Sequence, residues 1–477
     1  MISPEASPFA SSGGLGDVLG SLPAALEQLG VHVSLIIPAH RSVLRGNFPI
    51  EETGLRFDVL VSSRHEGGKI LKTTAGKAIT VYLIRADKYF DRDYLYSTPE
   101  GDYPDNSERF TFFGRAVLEI LKQEPPHVLH AHDWQSALSI AFLKAQPQLY
   151  PQLSSVKTVF TVHNLGFQGL FPPEDWHLLN LGSNFFAPQY LEYYGKMNFI
   201  KGGLAFADAL TTVSPTYAQE IKTIEQGFGL EGVFRERSAD LTGILNGVDY
   251  GLWNPEADHF IVGKYSAENL AGKQTCKADL QTTLSLPKNP ETPLIGMVSR
   301  LTSQKGFDLM ERTLEGLLAH NIQLVILGTG DKHYQDFLLR ATAKYPRKLA
   351  VKIEFNEALA HKIIAGSDML LMPSKYEPCG LTQLYSLKYG TIPLVRATGG
   401  LKDTVDEFDP ETEKGNGFVC ERYEVGDLLA ALDRALTVFG EREKWQALMK
   451  TAMKLDFSWN KPARAYLELY RKLTDSS

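Results

Sequence analysis

The chain has 477 residues and a formal net charge of −7. Its length predicts two or three domains of ordinary size, and its negative charge argues against a nucleic-acid partner, because phosphate backbones require a basic face. Cys276, Cys379 and Cys420 are scattered and odd in number, which fits a reducing compartment better than a disulfide framework or a zinc site. No apolar run reaches membrane-spanning length, and residues 1–8 lack the basic and apolar regions of a secretory signal.

The first feature of the chain is a glycine loop, SSGGLGDV at 11–18, followed by apolar residues at helical spacing over 19–29. Gly30 ends this predicted helix, and residues 31–37 are expected to form a buried strand. A glycine loop that enters a helix and returns to a strand is typical of a Rossmann-like unit. Only Met1, Ile2 and Ser3 precede Pro4 where such a unit has its first strand. Either the sheet tolerates a stub or the true start lies upstream.

The glycine loop does not match the NAD fingerprint, which requires G-x-G-x-x-G and an acidic residue at the end of the next strand. Its glycines are Gly13, Gly14 and Gly16, and the strand is followed by PAHR at 38–41, without an acid. The chain also has no Walker sequence, G-x-x-x-x-G-K-[ST]. A nicotinamide site is therefore disfavoured.

Residues 55–83 alternate in short β runs and predict a hairpin, with turns at Gly67-Gly68 and Gly76. The tyrosine-rich stretch 89–103 follows and contains the triplet DRD at 91–93, a pattern that holds a metal in some sugar-transferring folds. We favour a solvated loop over a metal site because the surroundings are polar. Tyr94 and its aromatic neighbours are suited to a carbohydrate, since sugar rings pack on aromatic faces.

Two predicted strands of the first half end in polar side chains. Strand 128–130 is followed by AHDWQ at 131–135, and strand 156–162 is followed by HNLGFQG at 163–169. Ligands of open parallel sheets bind at these carboxyl ends. His130, His132 and Asp133 are of metal-ligand type, but we favour a strand-end turn over a metal site. Asp133 either caps helix 135–145 or contacts a ligand, and we favour the contact. His163 is either structural or directed into the crevice.

The second half restarts the alternation of strands and helices after a boundary near 250–258. This alternation predicts a parallel sheet with both faces covered. The last helices, from Val425, Glu441 and Lys461 onward, are amphipathic, and the final one is expected to cross back onto the first domain. The predicted strands lie at 294–298, 323–327, 351–355, 369–372 and 392–395.

The stretch 369–394 carries the strongest local signal. After its buried strand, Pro373 and Pro378 bracket a turn, and Gly380 opens a helix through about 389. The start of a helix has free N–H groups and the positive end of a dipole, both of which suit phosphate oxygens. Glu377 stands just before this start, where a carboxylate repels an anion. It either caps the helix or accepts hydrogen bonds from sugar hydroxyls.

Arg300 and Lys305 add two cations on the loop that follows strand 294–298. Arginine can bind phosphate through two parallel N–H hydrogen bonds, and lysine acts as a point charge. Their coincidence with two N–H-rich turns, at 380–382 and 399–400, predicts a site for a diphosphate. The short acids, amides and His163 of the first half suit a sugar. The sequence thus predicts an α/β protein of two doubly wound domains whose loops converge on one crevice.

Taken together, the motifs resemble those of the bacterial glycogen synthase and starch synthase family, retaining transferases that use a nucleotide-diphosphate glucose. They occur in the family's order over nearly the whole chain: GGLGDV (13–18), HAHDW (130–134), TVHN (161–164), KGG (201–203), TVSPTY (212–217), LNGVD (245–249), SRL (299–301), QKG (304–306), YEPCGLTQ (376–383) and TGGL (398–401).

The resemblance implies the GT-B fold, two Rossmann-like domains facing a central cleft. The expected domains are 1–250 on the acceptor side, 251–455 for the donor, and 456–477 as a helix crossing back. The implied reaction transfers glucose from ADP-glucose to the non-reducing end of an α-1,4-glucan with retention, without a metal or cofactor. The implied compartment is the cytoplasm, or the plastid stroma in a plant or alga. ADP rather than UDP rests on the bacterial-type resemblance and on Phe355.

The resemblance also implies roles for individual residues. Arg300 and Lys305 would hold the diphosphate, Glu377 would bind hydroxyls of the transferred glucose, and His163 would contact that glucose from the other domain. Phe355 would stack on the adenine, and the amides of Leu381, Thr382 and Gly400 would contact phosphate. Donor binding further includes Gly14, Asp17, Asn246, Gly380 and Gly399, and acceptor binding includes Tyr94, Asp133 and Asn164.

Two routes to retention remain open from the residues. A carboxylate could form a covalent intermediate, or the acceptor could enter on the leaving group's own face while fixed donors stabilise the departing diphosphate. The resemblance favours the second route, in which the departing phosphate takes the acceptor's proton and Glu377 is a binder and electrostatic stabiliser.

The chain departs from the family pattern at two points. Ser11 stands where the family usually has lysine, two residues before the glycine pair, which bears on rate, donor affinity or acceptor preference. The second departure is the nearly absent first strand. One alternative is therefore a weakened glucan-binding or chain-initiating protein, although Arg300, Lys305, Glu377 and His163 argue against it. Another is a sucrose-forming transferase, but the chain gives no reason for a small acceptor.

Overall fold

The computed structural model describes residues 1–76, 79–98 and 100–475. The chain forms two compact units: Met1–Gly247 together with the segment from Trp459 onward, and Val248–Ser458. We call these unit 1 and unit 2. The boundaries expected at 250/251 and 455/456 each lie three residues from those of the structure. Within the described ranges, no helix has both the length and the apolar character needed to cross a membrane.

The strands of unit 1 form one large sheet and several short ribbons. They are β1 (Ser34–Pro38), β2 (Glu51–Val61), β3 (Arg64–Ala75), β4 (Ile79–Arg85), β5 (Ser97–Thr98), β6 (Gly101–Asp102), β7 (Val128–His132), β8 (Lys157–Val162), β9 (Leu170–Phe171), β10 (Glu192–Tyr193), β11 (Lys196–Asn198), β12 (Ala209–Thr212) and β13 (Leu241–Gly243).

The stub at the start of the chain joins the two halves of this sheet. Strands run in the orders β13-β12-β8-β7 and β1-β4-β3-β2, and Ile2 pairs in parallel with Ile36 of β1 and with Ala131 of β7. The Ile2 N–H donates to the His130 carbonyl at 2.8 Å, and the His132 N–H donates to the Ile2 carbonyl at 3.2 Å. Residues 1–3 therefore take the place of a central strand, paired with β1 on one side and β7 on the other.

Gly67 and Gly68 do not form the turn that the sequence predicted. They lie inside β3, opposite Asp58 and Phe57, and the chain reverses at Ser62–Ser63 instead. A Cβ added at Gly68 would lie 2.3 Å from the Phe57 ring, so glycine is needed there to admit a cross-strand aromatic ring.

The helices of unit 1 cover both faces of its sheet and frame its loops. They are α1 (Gly14–Gln28), α2 (Arg41–Arg45), α3 (Asp87–Phe90), α4 (Asn106–Leu121), α5 (Trp134–Ala145), α6 (Trp176–Leu179), α7 (Phe199–Phe206), α8 (Pro215–Glu220) and α9 (Glu231–Glu236). At α8 the Ser214 hydroxyl caps the helix by accepting from the Tyr217 N–H at 2.8 Å, with Pro215 at the first helical position.

Unit 2 is a six-stranded, all-parallel sheet with helices between its strands. Its strands are β14 (Leu294–Val298), β15 (Gln323–Leu327), β16 (Leu349–Lys352), β17 (Met369–Met372), β18 (Ile392–Arg396) and β19 (Phe418–Cys420). Its helices are α10 (Ala271–Thr283), α11 (Phe307–Ala319), α12 (Lys332–Lys344), α13 (Glu357–Gly366), α14 (Thr382–Lys388), α15 (Gly399–Thr404), α16 (Val425–Gly440) and α17 (Arg442–Lys454).

The strand order of unit 2 locates a ligand site before any side chain is considered. The spatial order is β16-β15-β14-β17-β18-β19, which is 3-2-1-4-5-6 when the strands are counted along the chain. The direction of winding reverses between β14 and β17, and ligands of such sheets bind outside the strand ends at this switch point. The loops that follow β14 and β17 carry Arg300, Lys305 and Glu377.

The last helix, α18 (Asn460–Asp475), belongs to unit 1. Its buried residues Ala463, Tyr466 and Tyr470 join a core cluster that includes Leu22 and Leu26 of α1. The C-terminal end of the chain is thus part of the core that the N-terminal glycine loop begins.

Candidate active site and family

Glu377 lies buried at the switch point of unit 2 and is bonded through one oxygen. Its Oε2 accepts from Lys305 Nζ at 2.6 Å and from the Ser374 hydroxyl at 3.1 Å. The Glu377 side chain is 5% exposed and that of Lys305 is 18% exposed. The structure therefore brings together two residues that the sequence placed 72 positions apart. Lys305 neutralises the carboxylate in the ligand-free chain.

The loops after β14 and β17 also contact each other through the backbone. The Lys375 N–H donates to the Gln304 carbonyl at 2.9 Å. Gly306 adopts a positive φ of 85°, and a Cβ there would lie 2.1 Å from the Pro373 carbonyl oxygen. Because glycine permits this approach, Lys305 is held beside Glu377 by main-chain packing. Arg300 is exposed on the same loop, with Nη2 3.4 Å from Gln304 Oε1.

The glycine pair 399–400 packs against the backbone of the loop that carries Glu377. The Gly400 N–H donates to the carbonyls of Glu377 and Pro378, at 3.1 and 3.2 Å. Cβ atoms at Gly399 and Gly400 would lie 1.9 Å from the Glu377 carbonyl and 2.1 Å from the Cys379 carbonyl. The sequence predicted that the Gly400 amide contacts phosphate, but here this N–H is bonded within the chain. The pair is required for close backbone packing against the Glu377 loop.

The remaining residues of unit 2 that were predicted to bind the nucleotide sugar lie in two places, directly after Glu377 along the chain and after the edge strand β16. Gly380, with a φ of 71°, and the half-buried Leu381 lead into α14, which begins at Thr382, two residues later than predicted. Phe355 follows β16 and is 87% exposed, so its ring is open for stacking.

Arg396, at the end of β18, clamps the Glu377 loop. Its Nε donates to the Ser374 carbonyl at 2.8 Å and its Nη2 to the Lys375 carbonyl at 2.5 Å. Sequence reasoning missed both Arg396 and Ser374, because neither forms part of a phosphate or sugar pattern. The only available signal was the position of Arg396 beside the glycine pair, at a strand's carboxyl end.

The switch point of unit 1 lies between the Ile2 stub and β7, and the glycine loop follows that stub. Glu5, which sequence reasoning also missed, is 3% exposed and organises this loop. Its Oε2 accepts from the Ser12 N–H at 2.6 Å and from the Ser12 hydroxyl at 2.7 Å. Burial raises the pKa of Glu5 to about 7. An acidic residue just after the first strand was its only sequence signal.

Asp133 does not cap α5, contrary to one of the two expectations for it. It has a φ of 57° and makes no side-chain cap to the helix. Its Oδ1 instead accepts from the His163 N–H at 2.7 Å, across the ends of β7 and β8. Burial raises the pKa of Asp133 to about 7, although backbone hydrogen bonds from His163 and Asn164 act to lower it. Asp133 therefore fixes the turn that carries His163.

His163 is 9% exposed, and its Nε2 lies 3.0 Å from Nδ1 of His132. Burial lowers the pKa of His163 to about 3, so its imidazole is neutral at physiological pH. Its neighbour Asn164 uses Oδ1 to accept from the Gly166 N–H at 2.9 Å, which stabilises the loop after β8.

Four further predicted site residues of unit 1 differ in their surroundings. Asn246 is 6% exposed, and its buried Oδ1 has no hydrogen-bond partner in the ranges described. Such an atom is uncommon in native proteins and fits a ligand contact. Asp17 is exposed on the first turn of α1, where Gly14 is the first residue, and Tyr94 is 50% exposed on its loop.

The acidic triplet at 91–93 pairs with a cation of the protein. Arg41 donates from Nε to Asp91 and from Nη1 to Asp93, both at 2.6 Å. Both nitrogens of His130 are bonded to Tyr470 and Thr161. Over the residues that the structure covers, no group of three or more His, Cys, Asp or Glu side chains is placed to hold a metal ion.

Comparison with known proteins agrees with this geometry. Residues 1–236 match the family model described as starch synthase catalytic domain, and residues 283–450 match glycosyl transferases group 1. The chain is 47% identical to the glycogen synthase of Koribacter versatilis, over 98% of this chain and 96% of that protein. It is 44% identical to the glycogen synthase of Bacillus cereus, over 99% and 98%.

The chain belongs to the glycogen synthase and starch synthase family of glycosyltransferases. The catalytic domain of starch synthase IV from Arabidopsis thaliana, solved with ADP and acarbose bound, superposes with a TM-score of 0.91 at 32% identity, covering 99% of this chain and 98% of that one. A sucrose-phosphate synthase from Thermosynechococcus elongatus, 17% identical with a TM-score of 0.61, shares the fold. The predicted fold class, two Rossmann-like domains of the GT-B type, is confirmed, as is the predicted family.

Proposed function

We propose that the chain transfers glucose from ADP-glucose to the non-reducing end of an α-1,4-glucan and retains the anomeric configuration. The observation that carries the proposal is the Lys305–Glu377 pair at the switch point of the parallel sheet, with Arg300 on the same loop. A cation beside a sugar-binding carboxylate suits a substrate that joins a sugar to a diphosphate. Membership of the family and the ADP in the Arabidopsis relative support an adenine nucleotide.

Lys305 and Arg300 would stabilise the charge that develops on the departing diphosphate. Breaking the anomeric C–O bond leaves negative charge on the phosphate oxygens, and cations already in place stabilise it without reorganisation. In the free chain Lys305 bonds to Glu377, so donor binding gives this ammonium a second anionic partner. Phe355, with its exposed ring, would stack on adenine. The backbone N–H groups of Gly380, Leu381 and Thr382, just before and at the start of α14, would add contacts to the phosphates.

Glu377 would bind glucose hydroxyls rather than attack the anomeric carbon. One of its oxygens is bonded to an ammonium and a hydroxyl, which weakens the carboxylate as a nucleophile. Its Oε1 accepts no hydrogen bond from the residues that the structure describes, and it would face the sugar. This arrangement favours entry of the acceptor on the leaving group's face, with the departing phosphate taking the acceptor's proton.

For unit 1 we propose sugar-binding roles. His163 and Asn246 would contact the donor glucose, with Gly14 and Asp17 at the glycine loop beside it. Asn164 and Tyr94 would serve the glucan acceptor. The bonding of Asp133 to the His163 backbone supports a positioning role for it rather than direct acceptor contact. We place the reaction in the cytoplasm, as for bacterial glycogen synthases, or in the stroma if the source is a plant or alga.

A donor screen tests the proposal. The full chain is given ADP-glucose or UDP-glucose, with and without glycogen, and transfer of labelled glucose is measured. We expect transfer from ADP-glucose that depends on the glucan. Glu377→Ala should lose about two or more orders of magnitude in kcat, because an electrostatic contact to the reacting sugar is removed. It should keep the wild-type circular dichroism.

The matched control for this screen is Glu443→Ala, an exposed acidic residue of α17 that lies outside the loops of the switch point. It should keep near-normal turnover. Near-normal turnover of Glu377→Ala would contradict the assigned site. Glycogen binding without any transfer by the wild type would favour a glucan-binding protein. Free sucrose or another small product would favour a sucrose-forming transferase.

A further inference from the structure

Three histidine rings, tilted against one another, form a column in unit 1 where β7 and β8 end. The ring centroids of His130 and His132 are 4.0 Å apart, and those of His132 and His163 are 5.2 Å apart. His130 and His132 are 2% and 0% exposed, whereas His163 is 9% exposed. Only the last ring thus reaches the loop surface where a substrate can bind.

His130 is saturated by hydrogen bonds. Its Nδ1 lies 2.7 Å from the Tyr470 hydroxyl of α18, and its Nε2 lies 2.6 Å from the Thr161 hydroxyl. Because each ring nitrogen of His130 has a hydroxyl partner that can donate or accept, either tautomer of His130 is satisfied. His130 therefore does not decide the proton positions of His132 and His163. It anchors the C-terminal helix to the sheet.

His132 has one bonded nitrogen and one unbonded nitrogen. Its Nδ1 lies 3.0 Å from His163 Nε2. Its Nε2 is buried and has no partner in the described parts of the chain. Burial lowers the pKa of both His132 and His163, so both imidazoles are neutral and each carries one proton.

Two proton arrangements satisfy the contact between His132 and His163. In the first, His163 donates from Nε2 to His132 Nδ1, which places the His132 proton on Nε2 as a buried N–H without an acceptor. In the second, His132 donates from Nδ1 to His163 Nε2, which leaves only a lone pair on the buried Nε2. Orphaned buried N–H groups are rarer than under-satisfied acceptors, and an unmade donor costs about 1–3 kcal/mol.

We infer that His132 is a positioning residue that holds His163 as the Nδ1–H tautomer, by donating its own Nδ1 proton to His163 Nε2. His163 Nδ1 makes no hydrogen bond to any described residue, so its N–H is directed to a ligand rather than to the protein. A histidine fixed in this way donates a hydrogen bond at Nδ1 and cannot accept one there. It therefore binds a hydroxyl oxygen and does not act as a base.

This inference deepens the proposed function and rests on it for the identity of the ligand, a hydroxyl oxygen of the donor glucose. The tautomer itself belongs to the free chain. It is measured without substrate, so its failure and the failure of the proposed function are distinguishable.

The first experiment is long-range ¹H–¹⁵N correlation on the full chain labelled with ¹⁵N-histidine, with His163→Asn used to assign the His163 signals. We expect the His163 Nδ1 to be protonated and its Nε2 to be unprotonated between pH 6 and 8. A protonated Nε2, or an imidazolium in this range, would overturn the inference.

Substitutions at His132 test its role as the donor. In His132→Asn the side-chain amide can lie where Nδ1 lies and donate, so the His163 tautomer should persist. His132→Leu cannot donate, and it should mix the two tautomers and raise the KM for ADP-glucose about tenfold, the equivalent of one lost hydrogen bond. Tyr470→Phe is the matched control, because it removes a buried hydrogen bond of the same column without touching His132.

The outcomes separate a positioning role from a structural one. Tyr470→Phe should lower the melting temperature and leave the His163 signals unchanged. An unmixed Nδ1–H tautomer in His132→Leu would show that another group sets it, and it would overturn the inference. If His132→Leu does not fold, the wild-type tautomer and His132→Asn still decide.

Discussion

At the scale of single residues, Ser11 shows how a local departure can be compatible with the fold. Its hydroxyl donates to the Gly13 carbonyl at 3.3 Å, and a Cβ added at Gly16 would lie 2.3 Å from this hydroxyl. The side chain is exposed, so the loop does not depend on burying it. The space around position 11 therefore admits a longer side chain that extends into solvent.

Ser11→Lys should leave kcat/KM unchanged or raise it by up to about tenfold, because it adds a cation beside the glycine loop at an exposed position. Steady-state kinetics with ADP-glucose and glycogen measure this. Ser12→Lys is the matched control and should lower activity, since Ser12 donates twice to the buried Glu5. A collapse of activity in Ser11→Lys would show that Ser11 has a role of its own.

Glu5 gives unit 1 a pH dependence that can be removed by one substitution. The folded pKa is raised from 4.5 to about 7 by burial. The stability that this group contributes is therefore full below pH 4.5 and is lost as the pH rises through 7. Glu5→Gln keeps an acceptor for Ser12 and carries no charge. Relative to wild type, it should gain about 3 kcal/mol of unfolding free energy between pH 5 and pH 8.

Thermal and denaturant unfolding of the full chain at a series of pH values measure the effect of Glu5→Gln. Glu51→Gln, at an exposed carboxylate of β2, is the control and should show no comparable change. If the unfolding free energies of Glu5→Gln and wild type differ by the same amount at pH 5 and at pH 8, Glu5 does not titrate as the structure implies.

At the scale of elements, the loop between β17 and α14 is held by its neighbours rather than by its own sequence. Arg396 grips the carbonyls of residues 374 and 375 with two nitrogens, and Gly400 donates to the carbonyls of residues 377 and 378. The loop that presents Glu377 is thus fixed from the ends of β18 and α15. Preorganisation of this kind places a charged group without a cost at the moment of reaction.

Arg396→Lys should lower kcat about tenfold and leave the fold intact, because lysine keeps the charge but cannot bond both carbonyls as the planar guanidinium does. Arg434→Lys is the matched control, since Arg434 also bonds a carbonyl and a carboxylate, those of Val419 and Glu407, away from this loop. Equal effects of the two substitutions on kcat would argue that Arg396 has no special relation to Glu377.

At the scale of the whole molecule, the chain leaves unit 1 at residue 247 and returns to it at residue 459. Unit 2 is continuous in sequence, whereas unit 1 needs both ends of the chain. Trp459, Tyr466 and Tyr470 are buried in the same core cluster as α1. The stability of unit 1 therefore depends on residues that are synthesised after the whole of unit 2.

Deletion of residues 459–477 should unfold or strongly destabilise unit 1 and leave unit 2 folded, because it uncovers the apolar face of α1 and removes three buried aromatic side chains. Limited proteolysis with mass spectrometry measures which unit is cut. Deletion of 475–477 is the control and should change little. Protection of both units in the longer deletion would contradict the assignment of α18 to unit 1.

Several features of the fold and site could be predicted from the sequence alone, because they rest on local patterns. The predicted strands 294–298, 323–327 and 369–372 have the same bounds in the structure. A run of buried apolar residues between turns is typical of a strand in a parallel sheet. The positions of Glu377, Arg300, Lys305 and His163 after strands followed from the same patterns, because loops at strand carboxyl ends carry function.

Other features were decided only by tertiary structure, because they depend on residues far apart in sequence. The Lys305–Glu377 pair, the Arg396 clamp, the Asp133 bond to the His163 backbone and the use of Gly67 and Gly68 inside a strand all require a partner that no local pattern identifies. The pairing of Ile2 is the clearest case. Residues 1–3 carry no strand pattern of their own, and they pair as the central strand because β1 and β7 supply both edges.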